Sequence, residues 1–163
     1  MRIEKAYRDA WNFKPPLSCR EMHAAGLFRG PKALQLRGAE IYDAETISEG
    51  DSFVAETLIP KLIPIGGDKS GDRWCFDARR KLDGRTAVLH CPHDGGGATF
   101  VAPSFAAFIY LLVADNRTKE NIERVRPWML KRWLRALASE GDIDVTEDPA
   151  FVNLPEDEFD HFR

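Results

Sequence analysis

Hydrophobic residues near the start of the chain recur every three or four positions. This spacing predicts an amphipathic helix, and the Pro15-Pro16 pair sets the point by which that helix must end. The chain therefore opens on a helix with one buried face. The residues of that face are Ile3, Ala6, Tyr7, Ala10 and Trp11.

A second helix is predicted from Ser18 until Gly26. Ser18 and Glu21 have the spacing of a capping box, in which each side chain bonds to the backbone of the other residue. Leu17 and Met22 have the spacing of a hydrophobic staple across the same helix start. We therefore expect Ser18 to cap this helix.

Short apolar stretches separated by turn residues fill the middle of the chain and predict β-strands. The stretches ALQL and EIY flank a turn at Gly38, and Asp43 then caps a brief turn, DAETI. Pro60 precedes the stretch LIPIGG and Pro64 lies within it. This stretch should therefore pair only briefly or at a sheet edge. The stretches RWCFDA, RTAVLH and ATFVA indicate further strands, the first two joined by a hairpin turn at Asp83-Gly84.

Helical spacing returns after Pro103. The segment SFAAFIYLLVA is apolar almost all round, which predicts a helix buried on more than one face. A further helix is expected from Thr118, kinked or restarted at Pro127 and ended by Gly141. Its apolar stripe consists of Leu130, Trp133, Leu134 and Leu137.

The order of these elements is helices, then a block of about four to six strands, then helices. This order predicts an α+β fold with a central antiparallel or mixed sheet flanked by helices. A length of 163 residues fits a single domain. We place that domain at residues 1–139, with a helical C-terminal extension, and assign residues 140–163 to an acidic tail.

Charge is distributed unevenly along the chain, whose net charge is -3. Residues 140–163 hold nine acidic residues and one basic residue, so the first 139 residues carry 22 basic and 17 acidic residues, or +5. The basic segment from Arg117 to Arg135 has two interpretations: a nucleic-acid or membrane face, or a solvated helix face complemented by the acidic tail. The second is favoured, so we expect no nucleic-acid partner.

Cysteine usage and hydropathy indicate the compartment. The three cysteines show no paired spacing, which argues against a disulfide framework and favours reduced cytosol. The N-terminal segment lacks the apolar core of a signal peptide, and no run approaches the roughly 18 apolar residues of a membrane span. We therefore expect a soluble cytoplasmic protein that does not engage a membrane.

The stretch HCPHDGGG, residues His90 to Gly97, holds the densest group of reactive side chains. It suggests a zinc site, a phosphate-binding loop, or a nucleophile with its base, such as Cys75 with His90 or His93. On a strand, however, His90 and Cys91 point to opposite faces, and the spacings of known zinc sites are absent. We therefore expect no catalytic residue, metal site or cofactor, with a metal-dependent or cysteine enzyme as the less favoured alternative.

Five stretches follow one another across roughly residues 34–112: LQLRGAEIYDAETI, LIPIGG, GDRWCFDA, TAVLHCPHD and VAPSFAAFIYLL. In this order they resemble the SMI1/KNR4 family of the SUKH superfamily. The resemblance implies a SUKH-like α+β fold and a non-catalytic protein-binding module. Many bacterial members look like immunity proteins that block a toxin, often a nuclease, and fungal members serve as scaffolds in cell-wall signalling. It thus implies a cognate toxin as partner, with a regulatory scaffold as the alternative role.

Polar loops at strand ends are the expected partner-binding surface, because loops reach solvent while the apolar helix Phe105 to Leu112 is needed in the core. Acidic residues there would suit a basic nuclease toxin, since complementary charge speeds association. The alternative is that these aspartates only cap turns. The candidate residues are Asp68 and Asp72 in one turn, Arg79 and Arg80 in the hairpin, and His93 and Asp94 in a third loop.

Overall fold

Helices and strands alternate in blocks along the part of the chain that the structure describes. The computed structural model describes residues 2–30, 33, 34, 36, 38–50, 61–79, 81, 85–94 and 97–115. Its elements, in chain order, are helix α1 (Ile3–Trp11), helix α2 (Leu17–Ala24), strand β1 (Ala39–Ile41), helix α3 (Ala44–Glu49), strands β2 (Leu62–Asp68), β3 (Arg73–Asp77), β4 (Val88–Cys91) and β5 (Thr99–Ala102), and helix α4 (Phe105–Asp115).

The strands form one five-stranded sheet in the order β1-β2-β3-β4-β5. Every pairing is antiparallel, and each strand lies beside its neighbour in sequence. Helices precede and follow this block of strands. The predicted α+β fold and the predicted number of strands are therefore confirmed, including the pairing of β3 with β4.

The sequence predicts that β2 pairs only briefly or at a sheet edge, and the structure places it inside the sheet. It pairs with β1 on one side and with β3 on the other. Pro64 is accommodated because β1 ends opposite Gly66 and because the register with β3 shifts between Pro64 and Gly66. The ladder is thus irregular where proline lacks a donor. The Tyr7 hydroxyl donates to the Pro64 carbonyl at 3.0 Å and joins α1 to this point.

The predicted capping box at the start of α2 is wrong. The helix begins at Leu17, and Pro16 occupies the N-cap position with no side-chain cap. Pro16 has the extended backbone of an N-cap residue, with φ -52° and ψ 155°, so the helix starts directly after it. Ser18 instead lies inside the first turn and is fully buried, while Leu17 is too exposed to act as a staple on Met22.

The stretch ALQL does not form a strand at its described residues. Leu34 and Leu36 are both buried in the core, but neither lies in a strand. The Leu34 amide donates to the Leu27 carbonyl at 2.9 Å, which ties this segment to the turn after α2. Apolar alternation here reflects burial against the helices and not strand pairing. The EIY prediction fares better, because β1 covers two of its residues.

The main hydrophobic core lies between the helices and one face of the sheet. Phe76 of β3 packs against Tyr7 of α1 and Phe105 of α4, with ring centroids 6.0 and 5.7 Å apart. The Ala107 amide donates to the Ser104 hydroxyl at 3.1 Å, which caps α4. Residues 105–109 are all buried, as predicted. Leu111 is 44 % exposed, so the buried part of this helix leaves one position of its second half open to solvent.

A smaller cluster occupies the other face of the sheet, because successive strand residues alternate between faces. Its buried members are Leu62, Cys75, Leu89 and Cys91.

Several predicted features lie outside the described residues. These are the helix from Thr118, the basic segment to Arg135, the acidic tail at 140–163 and the hairpin turn at Asp83-Gly84. The domain boundary at residue 139 falls there as well and stays a prediction.

Candidate protein-binding site

The sheet topology gathers the predicted loops into two groups at opposite ends. Because the strands are antiparallel and in chain order, the loop joining β2 to β3 lies at the same end as the loop joining β4 to β5. Asp68, Asp72, His93 and Asp94 therefore share one end of the sheet. Arg79 follows β3 and lies at the other end, and Arg80 lies outside the described residues.

Asp68 organises the turn between β2 and β3. Its Oδ1 accepts hydrogen bonds from the amides of Ser70 at 2.9 Å and Asp72 at 3.1 Å, and from the Ser70 hydroxyl. The hydrogen bond from the Ser70 side chain is the main reason that the pKa of Asp68 is lowered. Asp68 is thus an ionised turn cap, as the alternative interpretation of the sequence had it.

Asp72 joins the two loops through both oxygens of its carboxylate. Oδ1 accepts from the His93 amide at 3.0 Å and lies 2.8 Å from His93 Nδ1, while Oδ2 lies 3.0 Å from His90 Nε2. We call the three residues Asp72, His90 and His93 the Asp72 clasp. An ionised carboxylate only accepts hydrogen bonds, so His90 Nε2 and His93 Nδ1 each carry a proton and donate it to Asp72.

Hydrogen bonds within the clasp shift the pKa values of Asp72 and His93. The hydrogen bonds from the His93 ring and amide lower the pKa of Asp72 to about 2. The hydrogen bond to Asp72 raises the pKa of His93 above 6.5, and the nearby charges of Asp94 and Asp68 raise it further. Asp72 is therefore ionised throughout the physiological range, and His93 holds a proton to a higher pH than an ordinary histidine.

Neighbouring groups keep the clasp compact. Gly71 has a φ of +97°, and a side chain there would meet the ring and Cβ of His93 at 3.5 Å. Arg73 donates to the Gly71 carbonyl at 2.7 Å and stacks over the Tyr42 ring, 6.0 Å from its centroid. The positive φ of Gly71 therefore favours glycine at this position, whereas a contact at 3.5 Å with His93 would be an ordinary one.

An Asp–His pair can orient a general base, which would act on a nearby nucleophile. The Ser70 hydroxyl is engaged with Asp68. Cys91 is buried on the face of the sheet opposite to His90, where a hydrogen bond with the Cys75 thiol lowers its pKa. Among residues that the structure describes, no group of three His, Cys, Asp or Glu side chains is arranged to hold a metal ion.

Arg79 has a local partner at the far end of the sheet. Its guanidinium forms a two-point contact with Asp77, from Nε to Oδ1 at 2.7 Å and from Nη2 to Oδ2 at 2.9 Å. Asp77 is 1 % exposed, and this pair raises the pKa of Arg79. The structure thus separates Arg79 from the aspartates with which it was predicted to act.

Two residues at the loop end were missed by the sequence prediction. His90 was considered only as a zinc ligand or base, although the HCPHD spacing places it two strand positions before the loop that carries His93. Phe100 of β5 is 60 % exposed, beside the same loop. Alternation in ATFVA predicts that one face of the strand is covered but does not say which face. The exposure of Phe100 could therefore not be predicted from the sequence.

One comparison with known proteins identifies the family of this chain. Searches of curated proteins and of solved structures give no match. No helix in the described ranges is long and apolar enough to cross a bilayer. The family model of the SMI1 / KNR4 family (SUKH-1) matches residues 5–111, which span α1 to α4 and make up more than half of the chain. The chain therefore belongs to the SMI1/KNR4 family (SUKH-1).

Proposed function

We propose that this protein is a SUKH-type immunity protein, which binds and neutralises a toxin in the cytoplasm and catalyses no reaction. Family membership supports a protein-binding role. The observation that carries the proposal is the Asp72 clasp, because it holds two exposed loops together as one surface. A surface that is ordered before binding loses less entropy when a partner arrives.

The charge of this surface suits a basic partner. Asp68 and Asp72 both have lowered pKa values and remain ionised, and Asp94 lies exposed beside them. A toxin that acts on nucleic acid presents positive charge to the phosphates of its substrate. Acidic loops would attract the same positive surface, raising the association rate at low salt and losing that advantage at high salt.

An exposed aromatic residue borders the acidic loops. Phe100 lies on β5, an outer strand of the described sheet, directly after the loop that carries His93 and Asp94. Aromatic side chains at the centre of an interface commonly contribute most of its binding energy. We therefore assign Phe100 as the apolar anchor and Asp94 as the charged contact of the proposed interface.

The test is binding to the toxin-like product of a neighbouring gene. Association is measured by calorimetry for the parent protein and for Asp94→Lys and Phe100→Ala, with folding checked by circular dichroism. Each variant should weaken binding by about tenfold or more while it stays folded. A rise in salt should weaken the parent more than Asp94→Lys, since the variant lacks the attraction being screened.

The matched control is Glu49→Lys, which makes the same charge reversal at the exposed end of α3. It should bind as the parent does. Equal losses in Asp94→Lys and Glu49→Lys would show only a general charge effect and would remove the interface from the loops. Failure to bind any neighbouring toxin would contradict the immunity role and favour the regulatory scaffold.

A further inference from the structure

A cavity of about 490 Å³ lies between α1, α2 and the start of α3, away from the loops of the Asp72 clasp. Its apolar part comes from Ile3 and Phe28, and its polar part includes three arginines and His23. A volume of this size falls in the range of small-molecule sites, which combine apolar walls with a few polar groups. The cavity is thus suited in size to a small organic ligand.

Two residues that line this cavity each hold a buried polar atom without a hydrogen-bond partner among the described residues. The two atoms are Nε of Arg20 and Nε2 of His23. Arg20 and His23 are three residues apart on α2 and therefore lie on the same face of the helix. Buried polar groups are nearly always paired, so an unpaired guanidinium donor beside an unpaired imidazole nitrogen calls for an external acceptor.

The charge of the lining favours an anion. Arg2, Arg20 and Arg29 contribute three positive charges, against two negative charges from Glu4 and Asp43, which leaves one positive charge. Asp43 is occupied as the cap of α3, where its Oδ1 accepts from two backbone amides at 3.0 Å. Glu4 makes only a long contact of 3.6 Å with Nη1 of Arg20.

The start of α1 adds to this preference. Its first residues Ile3 and Glu4 line the cavity, and no side chain caps the helix at Arg2. The first amides of a helix without such a cap are free to bind an anion, and the helix dipole favours negative charge there.

We propose that this cavity binds a small organic anion, whose carboxylate or phosphate is held by Arg20 and His23 and whose apolar part packs against Phe28. The anion supplies the acceptors that Nε of Arg20 and Nε2 of His23 lack, once the two side chains turn these buried atoms towards it. The T-shaped contact between the rings of His23 and Phe28, with centroids 4.9 Å apart, keeps the imidazole beside the apolar wall. Such a ligand would accompany the protein-binding loops, since the two sites share no lining residue.

The test uses the full chain, labelled with ¹⁵N and titrated with three probes while NMR follows the Arg20 Nε and His23 ring signals. Benzoate and phenyl phosphate carry an apolar ring with each kind of anionic group, and benzamidine is a cation of similar shape. At least one anion should bind saturably and shift both signals, and benzamidine should not. The two anions distinguish a carboxylate ligand from a phosphate ligand.

Arg20→Gln should weaken binding of the preferred anion by about tenfold, because it removes a charge-assisted hydrogen bond. Arg20→Lys keeps the charge without Nε and should also bind less well, which separates donor geometry from charge. Arg8→Gln, at an exposed position of α1, is the control and should bind as the parent does. Absence of saturable binding by both anions, or equal binding by folded Arg20→Gln and parent, would overturn the proposal.

Discussion

A single oxygen of Asp72 accepts two hydrogen bonds from His93, one from the backbone amide at 3.0 Å and one from ring Nδ1 at 2.8 Å. The two residues are 21 positions apart and lie in different loops. Because His90 reaches the other oxygen of the same carboxylate, the removal of one side chain should release both contacts. The connection between the loops therefore depends on Asp72.

Asp72→Asn should lower the pKa of His93 towards its ordinary value of 6.5. The neutral amide no longer stabilises the charged imidazole, so the ring should lose its proton at a lower pH. NMR titration of the His93 ring protons measures this change directly. Hydrogen exchange at the His93 amide should also become faster, since its acceptor is weakened.

Asp94→Asn is the control for that experiment, because Asp94 raises the pKa of His93 only through its charge. Its effect on the pKa should be the smaller of the two, and amide exchange should not change. A larger effect of Asp94→Asn than of Asp72→Asn would show that the hydrogen bonds of the clasp do not hold the loops.

Gly66→Ala should destabilise the sheet because β1 passes too close for a side chain. A Cβ at this position would lie 2.1 Å from the Glu40 carbonyl oxygen and 3.2 Å from Ile41 Cα, both backbone atoms. The strands must separate to admit it, so we expect a loss of about 1–3 kcal/mol in the free energy of unfolding, or more. Urea denaturation gives this difference.

Gly67→Ala is the matched neighbour. A Cβ there would lie 2.8 Å from the Tyr42 hydroxyl and 3.0 Å from Nη1 of Arg73, both at the ends of side chains that can move. Its nearest backbone contact would be the Asp72 carbonyl oxygen at 3.0 Å, against 2.1 Å at Gly66. It should cost less than Gly66→Ala. The reverse order of the two losses would contradict the close approach of β1 and β2 at Gly66.

Much of the fold could be predicted from the sequence because local pattern and tertiary packing agree. The helical spacing around Tyr7 and the apolar segment after Ser104 each correspond to an observed helix. Asp43 is a cap as predicted, although the turn that it caps is the short helix α3. The failures occur where packing overrides local preference. Ser18 is buried within α2 rather than capping it, and Pro64 lies in an inner strand beside an irregularity that no local pattern reveals.

The candidate site was predicted in its residue types but not in its connections. Asp72 and His93 were both identified as loop residues, and antiparallel topology places their loops at one end. The carboxylate that both histidines share depends on the register between β3 and β4. That register pairs Arg73 with Cys91, so Asp72, just before Arg73, lies near His93, just after Cys91. Register is a property of paired strands, and a single sequence does not fix it.

Stability should fall in acid because His23 is buried in a neutral form. Burial lowers the pKa of His23 to about 4, an effect that the Asp43 charge only partly opposes. The unfolded chain takes up the proton near pH 6.5, whereas the folded chain resists it until about pH 4. This contribution to stability is therefore complete above pH 6.5 and is lost as the pH falls, by about 3 kcal/mol at pH 4.

Other groups also titrate in this range, so the measurement is a difference between two proteins. Urea unfolding of the parent and of His23→Gln is compared at neutral pH and near pH 4. The parent should lose more stability than the variant, which has no imidazole to protonate at this position. Equal losses in the two proteins would show that His23 titrates normally in the folded state.

Arg79 pairs with a buried carboxylate, so its structural role can be separated from the partner-binding role that the sequence predicts for it. Its guanidinium neutralises Asp77, whose side chain is 2 % exposed. Removing one partner of a fully buried ion pair costs roughly 3–5 kcal/mol. Because the Arg79 side chain is 42 % exposed and water screens part of the interaction, we expect Arg79→Met to cost about 1–3 kcal/mol.

Asp77→Asn combined with Arg79→Met should recover part of that loss, since no buried charge is then left without its guanidinium. Unfolding of the two single variants and the double variant gives the coupling energy between the side chains. Toxin binding by the double variant is measured beside it. Positive coupling with unchanged binding assigns Arg79 to the structure of the sheet end. Loss of binding at unchanged stability would instead place the interface at this end, opposite the Asp72 clasp.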